Sequence, residues 1–425
     1  MAIKRKMELK DDLFLIPVED GNLVYSPLHR GLFWASEDAS NVVRRYLADG
    51  CVDCNDDNLS ENINKLSKAK VFFPSSNDTP ATNRLVIILS QSCNLACTYC
   101  YAQKARSKDV LSKDKLKVIY DFVLADKSKS KYFTYIGGGE PFVVWDVIEW
   151  SVNYINQHKS AGDKVAFSVT TNGTLFDEHS IHFCRDNNIH IGVSFEIIKN
   201  IQDKQRPFRN LKASTFDIIN ENINKLMDNG ISLGIRSTIT NMNVSLMPEM
   251  VRFVAVNYPS LKKVHFEPVT DVAITNYKFY AEFIDYFFIS REIGRKFGVE
   301  VYNSITNSVF RIKDRFCNGE MCVTPTGSIV ACHRISSEKN RQYTTFDYGQ
   351  INENKLSLDK KKYDAYLSFA RKKMPKCKGC FAYCHCAGGC PMERTVFSEE
   401  QLSMKCEFTR EIVKRILLEQ IRGTE

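Results

Sequence analysis

Cys93-Asn94-Leu95-Ala96-Cys97-Thr98-Tyr99-Cys100 spaces its thiols as C-x3-C-x2-C, directly after the apolar run Leu85-Val86-Ile87-Ile88-Leu89. Three soft ligands so close together suit an iron-sulfur cluster better than zinc, because a structural zinc ion closes four ligands and no fourth partner stands nearby. Three thiolates on a four-iron cube leave one iron without a protein ligand, and that iron can hold a small chelating molecule. Taken alone, the same residues also fit a plainer reading, as small apolar core residues or a fragment of a zinc knuckle.

The chain has 425 residues, room for two or three domains, and an apolar and charged make-up ordinary for a globular protein. Fifteen cysteines are the anomaly. The basic start Met1-Ala2-Ile3-Lys4-Arg5-Lys6 is followed by an apolar run, 13–18, too short for a signal-peptide core, and no stretch reaches transmembrane length. A cytoplasmic address with no membrane partner is therefore expected. Thiols stay reduced there, so the cysteines read as ligands rather than disulfides. The formal net charge of +8 fits surface lysine that keeps the chain soluble, or a weak attraction for an acidic peptide. Arginines and aromatics are not interleaved as nucleic-acid binding requires, so no nucleic-acid partner is expected.

Residues 1–80 contain strand-like runs at 13–17 and 22–26 around the turn Glu19-Asp20-Gly21, a helix opened by Ser36, a second helical run at 59–66, and a short strand at 71–74. Six strand-like runs follow, at 85–89, 132–136, 165–170, 190–196, 232–238 and 263–267, separated by helix-length segments. That alternation predicts an α/β fold with a parallel sheet and outer helices. In a parallel barrel the chemistry gathers at the carboxyl ends of the strands. The cysteine triplet follows the first run, and Gly137-Gly138-Gly139-Glu140-Pro141 follows the second. The glycines allow close backbone approach to a ligand, and Glu140 is placed to accept from an ammonium group. The third run ends in Asn172, the fourth in Ser194-Phe195-Glu196, and the fifth carries Arg236. His265 on the sixth reads as a hydrogen-bonded barrel histidine. An amphipathic helix is expected over 271–300, its aromatic face of Tyr277, Phe279, Tyr280, Phe283, Tyr286 and Phe287 serving as core. The last segment holds Cys317, Cys322, Cys332, then Cys377-x2-Cys380-x5-Cys386-x3-Cys390, and Cys406.

The triplet after a strand, with Tyr99 before its last cysteine and a Gly-Gly-Glu loop after the next strand, resembles the radical S-adenosylmethionine (SAM) enzymes. The resemblance implies a partial (β/α)6 TIM-like barrel in which Cys93, Cys97 and Cys100 are catalytic and hold a 4Fe-4S cluster whose open iron binds S-adenosyl-L-methionine. It implies cofactor contacts from Tyr99, Gly138, Gly139 and Glu140, from Asn172 and Ser194 at the ribose, and from Arg236 at the carboxylate. It implies a ribose contact from Glu196 as well, which stands where relatives have aspartate followed by glycine, an acceptor shifted by one methylene. Arg206 has a counterpart in related maturases, but alone it reads as a surface or salt-bridging arginine.

The later cysteines resemble the SPASM extension, which carries two auxiliary 4Fe-4S clusters and makes three in all. Family usage assigns Cys317, Cys322, Cys332 and Cys390 to the first and Cys377, Cys380, Cys386 and Cys406 to the second, with Cys322 at a shorter spacing than in the sulfatase-maturing branch. Cys51, Cys54, Cys184 and Cys384 are left as free thiols. The pattern of 1–80 resembles a winged-helix recognition element for a peptide leader. The expected organisation is a recognition domain over 1–80, a barrel over 81–270, a linker helix region over 271–316 and a SPASM domain over 317–425. The resemblance implies a maturase of a ribosomally made precursor peptide that forms a cysteine thioether or another side-chain crosslink, served by an electron donor such as flavodoxin or ferredoxin. The alternatives are an anaerobic sulfatase-maturing, formylglycine-forming enzyme, whose branch has aspartate where this chain has His333, and a non-catalytic iron-sulfur redox protein.

Overall fold

A computed structural model of the chain describes residues 8–50, 57–74, 78–270, 275–353 and 355–423. The amino-terminal part is an antiparallel meander of β1 (Phe14–Val18), β2 (Gly21–Ser26) and β3 (Gly31–Ala35), followed by helices Glu37–Asp49 and Asp57–Lys68. Side chains alternate across a strand, and here the alternation serves two cores. Val24 and Ala35 join Leu9, Leu13, Val42, Val43, Leu59 and Ile63 in a small core of their own. Ile16, Leu23 and Tyr25, on the other face, belong to the main core of the molecule. Ser36 caps the first helix by accepting from Ala39 N. Two readings of this part are corrected: 31–35 is a third strand, and 71–74 is not a strand. That segment makes a single recorded backbone bond, Phe72 N to Leu28 O at 2.8 Å, and its Phe72 ring lies under the Arg30 guanidinium.

The six expected runs form β4 (Arg84–Ile87), β5 (Ser130–Tyr135), β6 (Lys164–Thr171), β7 (His190–Ser194), β8 (Leu233–Ile239) and β9 (Lys263–Pro268), parallel and adjacent in chain order. Helices such as Lys113–Leu124 and Trp145–His158 connect them and bury apolar faces, each buried Leu, Ile or Phe contributing about 1.5–3 kcal/mol. The fold is thus mixed α/β, a large parallel sheet of the partial TIM-like kind. The helix Tyr277–Phe297 buries Phe279, Tyr280, Phe283 and Phe287 as expected, whereas Tyr277 is exposed. It leads into a seventh parallel strand, β10 (Glu300–Tyr302), on the edge of β9.

The opposite edge is also covered. β11 (Cys322–Val323) pairs parallel with β4, and β12 (Ser328–Val330), β13 (Asp347–Asn352) and β14 (Lys355–Leu358) continue antiparallel. The cysteine-rich segment therefore extends the same sheet and satisfies an edge that would otherwise present unpaired backbone groups. The last helix, Glu399–Arg422, has a capping box at Ser398 and packs Phe408 against Tyr280 and Phe283. Among the described residues no helix is long and apolar enough to cross a membrane.

Candidate active site

The loop after β4 is held from outside. Ala96 N and Thr98 N donate to Pro207 O and Gln205 O at 2.8 and 2.9 Å, and Arg209 N donates to Asn94 O at 2.9 Å. Burial pushes the Cys93 and Cys97 thiols up. Arg106 donates Nη1–H to Leu95 O at 3.0 Å and Nη2–H to Cys100 Sγ at 3.5 Å, while Asn172 Nδ2 lies 4.0 Å from Cys93 Sγ. Cations and N–H donors aimed at sulfur favour thiolate over thiol.

The glycine loop after β5 lies directly on this one. Gly137 and Gly138 have φ of 87° and 66°, which only glycine adopts without strain. A Cβ on Gly139 would stand 1.9 Å from Ser92 O. The close approach visible here is loop on loop, with Gly139 N donating to Ser90 O and Glu140 N to Ser92 O. Glu140 is fully buried and accepts from Thr171 Oγ1 and Asn172 N at 2.6 Å and from Phe142 N at 3.0 Å. Burial nevertheless raises its pKa. Its oxygens thus hold the end of β6 and place Asn172, which bonds Asn94 Oδ1 at 2.8 Å.

Cys93, Cys97, Cys100, Tyr99, Gly138, Gly139, Glu140, Asn172, Ser194 and Arg236 all line one cavity of about 510 Å³ at the carboxyl ends of the strands. Glu196 does not. Its carboxylate is wholly buried, with Oε2 accepting from Ser237 Oγ at 2.6 Å and Thr238 N at 3.0 Å, and Oε1 accepting from the Tyr99 hydroxyl. A ribose contact from Glu196 is therefore not what this geometry offers: the longer side chain folds back into the wall. Ile197 after it sits at φ 65°, unusual for a β-branched residue.

Arg206, read from sequence as a surface or salt-bridging residue, is ion-paired but not on the surface. It is 8% exposed, lies 3.6 Å from Glu196 Oε1, donates to the Tyr99 hydroxyl at 3.0 Å and lines the cavity. Its Nε is buried without a partner, as is that of Arg106. Glu267, which sequence reasoning passed over, also lines the cavity at the end of β9. Its Oε2 accepts from Ser304 N and Oγ and pairs with His265 Nε2 at 2.9 Å. Burial works to raise its pKa, but the His265 hydrogen bond and charge, then Arg236 and Lys405, outweigh it and hold the group down to about 2. The signal that could have found it was a carboxylate at the carboxyl end of the sixth strand-like run.

The carboxyl-terminal cysteines fall into neighbourhoods. Burial, then the charges of Cys406, Cys380 and Cys377, push Cys386 up to about 12. Burial and then Cys317, with smaller effects from Cys332 and Cys390, raise the Tyr366 hydroxyl. Cys386, Cys390 and Cys406 line the same cavity as the triplet. Cys322 is fully buried within β11, outside the cavity lining, and its thiol is raised by burial, then by Glu320 and Cys332. His333 lines the cavity and contacts Glu320 through Nδ1 at 3.0 Å. Cys184 and Cys384 are pushed by burial up to about 12. Cys51 and Cys54 lie outside the described residues. Among the described residues no three His, Cys, Asp or Glu side chains close on one point as a single metal ion needs. A cube that carries each thiolate on its own corner does not ask for that convergence.

Comparison with known proteins adds three kinds of finding. Residues 87–254 match the family model described as the Radical SAM superfamily. A 169-residue stretch is 31% identical to an uncharacterized protein of Methanocaldococcus jannaschii, spanning 40% of this chain and 57% of that protein, little more than half its length. Over 333 residues the chain is 24% identical to a cysteine-type anaerobic sulfatase-maturating enzyme of Clostridium novyi, spanning 71% of this chain and 85% of the enzyme. The fold is similar to native anSMEcpe with bound AdoMet, at a TM-score of 0.67 and 18% identity over 80% of this chain and 100% of that one. It is also similar to Streptococcus suis SuiB, solved too with its precursor peptide SuiA, at a TM-score of 0.52 and 14% identity over 93% of this chain and 98% of that one.

Proposed function

On the premise that this chain is a radical SAM protein, with the superfamily's domain over residues 87–254, we propose that it is an oxidoreductase that takes a hydrogen atom from a peptide and lets the resulting carbon form a cysteine thioether or another side-chain crosslink. The observation that carries this reading is one cavity walled by the thiol triplet, the glycine loop and three of the late cysteines. The donor set fits an iron-sulfur cluster: three soft sulfurs in one loop, beside two guanidinium groups whose buried Nε atoms lack partners. Cys93, Cys97 and Cys100 would hold the cluster, with Tyr99, Gly138, Gly139, Asn172, Ser194 and Arg236 facing S-adenosylmethionine. When bound, that pair supplies a carbon radical strong enough to take hydrogen from an unactivated C–H.

What the chain itself does is position and exclude. Glu140 and Asn172 fix the two loops to one another, and the Tyr99–Glu196–Arg206 network makes the wall between β7 and the triplet rigid. Glu267, Arg236 and Lys405 set the charge of the far wall. We read Cys317, Cys322, Cys332 and Cys390, and Cys377, Cys380, Cys386 and Cys406, as residues that would hold two auxiliary clusters, which would supply a route for single electrons, in either direction, between the cavity and the surface. Residues 1–80 would bind the leader, 81–270 form the barrel, 271–316 link, and 317–425 form the SPASM part.

The formylglycine reading stands beside this one, favoured by the long alignment with the Clostridium novyi enzyme. That the substrate is a peptide draws on the fold likeness to SuiB, a structure also solved with a precursor peptide. Mass spectrometry of a co-expressed cysteine peptide decides: loss of two hydrogens with sulfur retained supports a crosslink, and loss of sulfur supports formylglycine. Replacing Cys93, Cys97 and Cys100 together by alanine is expected to abolish deoxyadenosine formation while leaving about eight iron atoms per chain; cleavage that survives overturns the central assignment.

A further inference from the structure

The chain around Cys377 and Cys380 reads Arg371-Lys372-Lys373-Met374-Pro375-Lys376-Cys377-Lys378-Gly379-Cys380. Lys372, Lys373 and Lys378 are exposed and Lys376 is half-buried. Among the described residues none of these four lysines has an ion-pair partner. Charges just beside them are neutralised: Arg371 takes Asp314 at 3.1 Å and also Asp78, Arg315 takes both of the same acids, and Lys405 takes Glu393 at 3.5 Å. The acids recorded in ion pairs near this rim are thus already in use. Lys373 is held in place over the Tyr383 ring at 4.4 Å. Lys376 and Arg410 are the cations whose field bears on Cys406. The result is a collar of uncompensated positive charge around thiols at the molecular surface, and from those thiols the chain runs to Cys386 and Cys390 in the cavity wall.

From this geometry we infer that the Lys372–Lys378 collar is the docking face for an acidic one-electron carrier protein, delivering its electron beside Cys377 and Cys380. The inference rests on the proposal that Cys377, Cys380, Cys386 and Cys406 hold an auxiliary cluster. In the transfer the carrier is oxidised by one electron and the thiolate-held iron is reduced by one. No bond is made or broken. An unpaired collar suits such a partner because opposite charge steers a brief encounter without a large apolar contact, and because the steering weakens as salt screens it.

The test uses anaerobic, cluster-loaded full-length protein and stopped-flow bleaching of cluster absorbance, with reduced flavodoxin as the acidic probe and dithionite as a small reductant. Flavodoxin-driven bleaching of the parent is expected to slow with added salt. The quadruple variant K372Q/K373Q/K376Q/K378Q is expected to slow it on the order of tenfold and to flatten the salt dependence, with dithionite bleaching unchanged. A charge-matched control, K127Q/K164Q/K212Q/K262Q on the parallel-sheet half, is expected to keep the parental rate. Flavodoxin rates unaltered by the collar variant, equal slowing in the control, or equal slowing with dithionite would each overturn the docking face. Unaltered flavodoxin rates with lost retention of an oligoglutamate peptide would instead assign the collar to an acidic peptide. Failure of dithionite to bleach the parent at all is a separate result, which removes the cluster reading itself.

Discussion

Gly139 has no space for a side chain, since its Cβ would meet the Ser92 carbonyl at 1.9 Å and neither backbone can turn aside. Gly139→Ala is expected to cost about 1–3 kcal/mol in thermal or urea unfolding and to lower iron content, because relief must come from moving the thiol loop. Glu196 and Arg206 form a buried ion pair, so removing one partner strands the other. Glu196→Ala is expected to cost about 3–5 kcal/mol, read by urea denaturation. Glu267 gives a pH signature. Its folded pKa lies below the ordinary 4.5, at about 2, so its stabilising contribution is complete above pH 4.5 and is lost as pH falls from there toward 2. Glu267→Gln is expected to flatten that part of the acid unfolding curve, and a curve identical to the parent's would remove the assignment. Arg206 shows why single residues mislead: Gln205-Arg206-Pro207 has no periodicity to place it, and the bonds that tie this segment to the loop at 94–98 bring it to the cavity.

The element that carries most consequence is the two-residue β11. Met321 O and Val323 O accept from Val86 N and Ile88 N at 2.8 and 3.0 Å, tying the cysteine-rich segment to the edge of β4. Val323 is fully buried at that seam. Val323→Asp would place a charge there with no designed partner and is expected to cost several kcal/mol and to promote association through the freed edge, followed by differential scanning and light scattering. A strand this short has no pattern in sequence. The six longer runs did, because Val, Ile, Phe and Thr recur there over enough residues to mark buried strands between helix-length segments. Gly31-Leu32-Phe33-Trp34-Ala35 does not alternate and so gives no strand signal, whereas 71–74 is apolar and reads as a strand although, among the described residues, no neighbouring strand takes its backbone.

Across the whole molecule, the amino-terminal meander is not a detached module. Tyr25 belongs to the main core and its hydroxyl meets His385 Nε2 at 2.5 Å, 360 residues away in sequence and beside Cys386. Removing residues 1–80 would therefore uncover the surface now facing Ile16, Leu23 and Tyr25 as well as remove a binding element. The gentler change, Tyr25→Phe, is expected to cost about 1–2 kcal/mol and to speed hydrogen exchange around 383–386. Exchange there equal to the parent's would show that the bond does not couple the two ends.

Sequence by itself determined the α/β class, the parallel strands, the radical SAM resemblance and most of the candidate residues that line the cavity, because each rests on local spacing: sulfurs counted along a loop, glycines after a strand, apolar runs between helices. Tertiary structure alone decided that Glu196 turns into the wall, that Arg206 and Glu267 reach the cavity, that the late cysteines extend the barrel sheet, and that both ends of the chain share a core. Those facts depend on which distant backbones hydrogen-bond and on where a buried charge finds its partner, and neither is written in the spacing of neighbours.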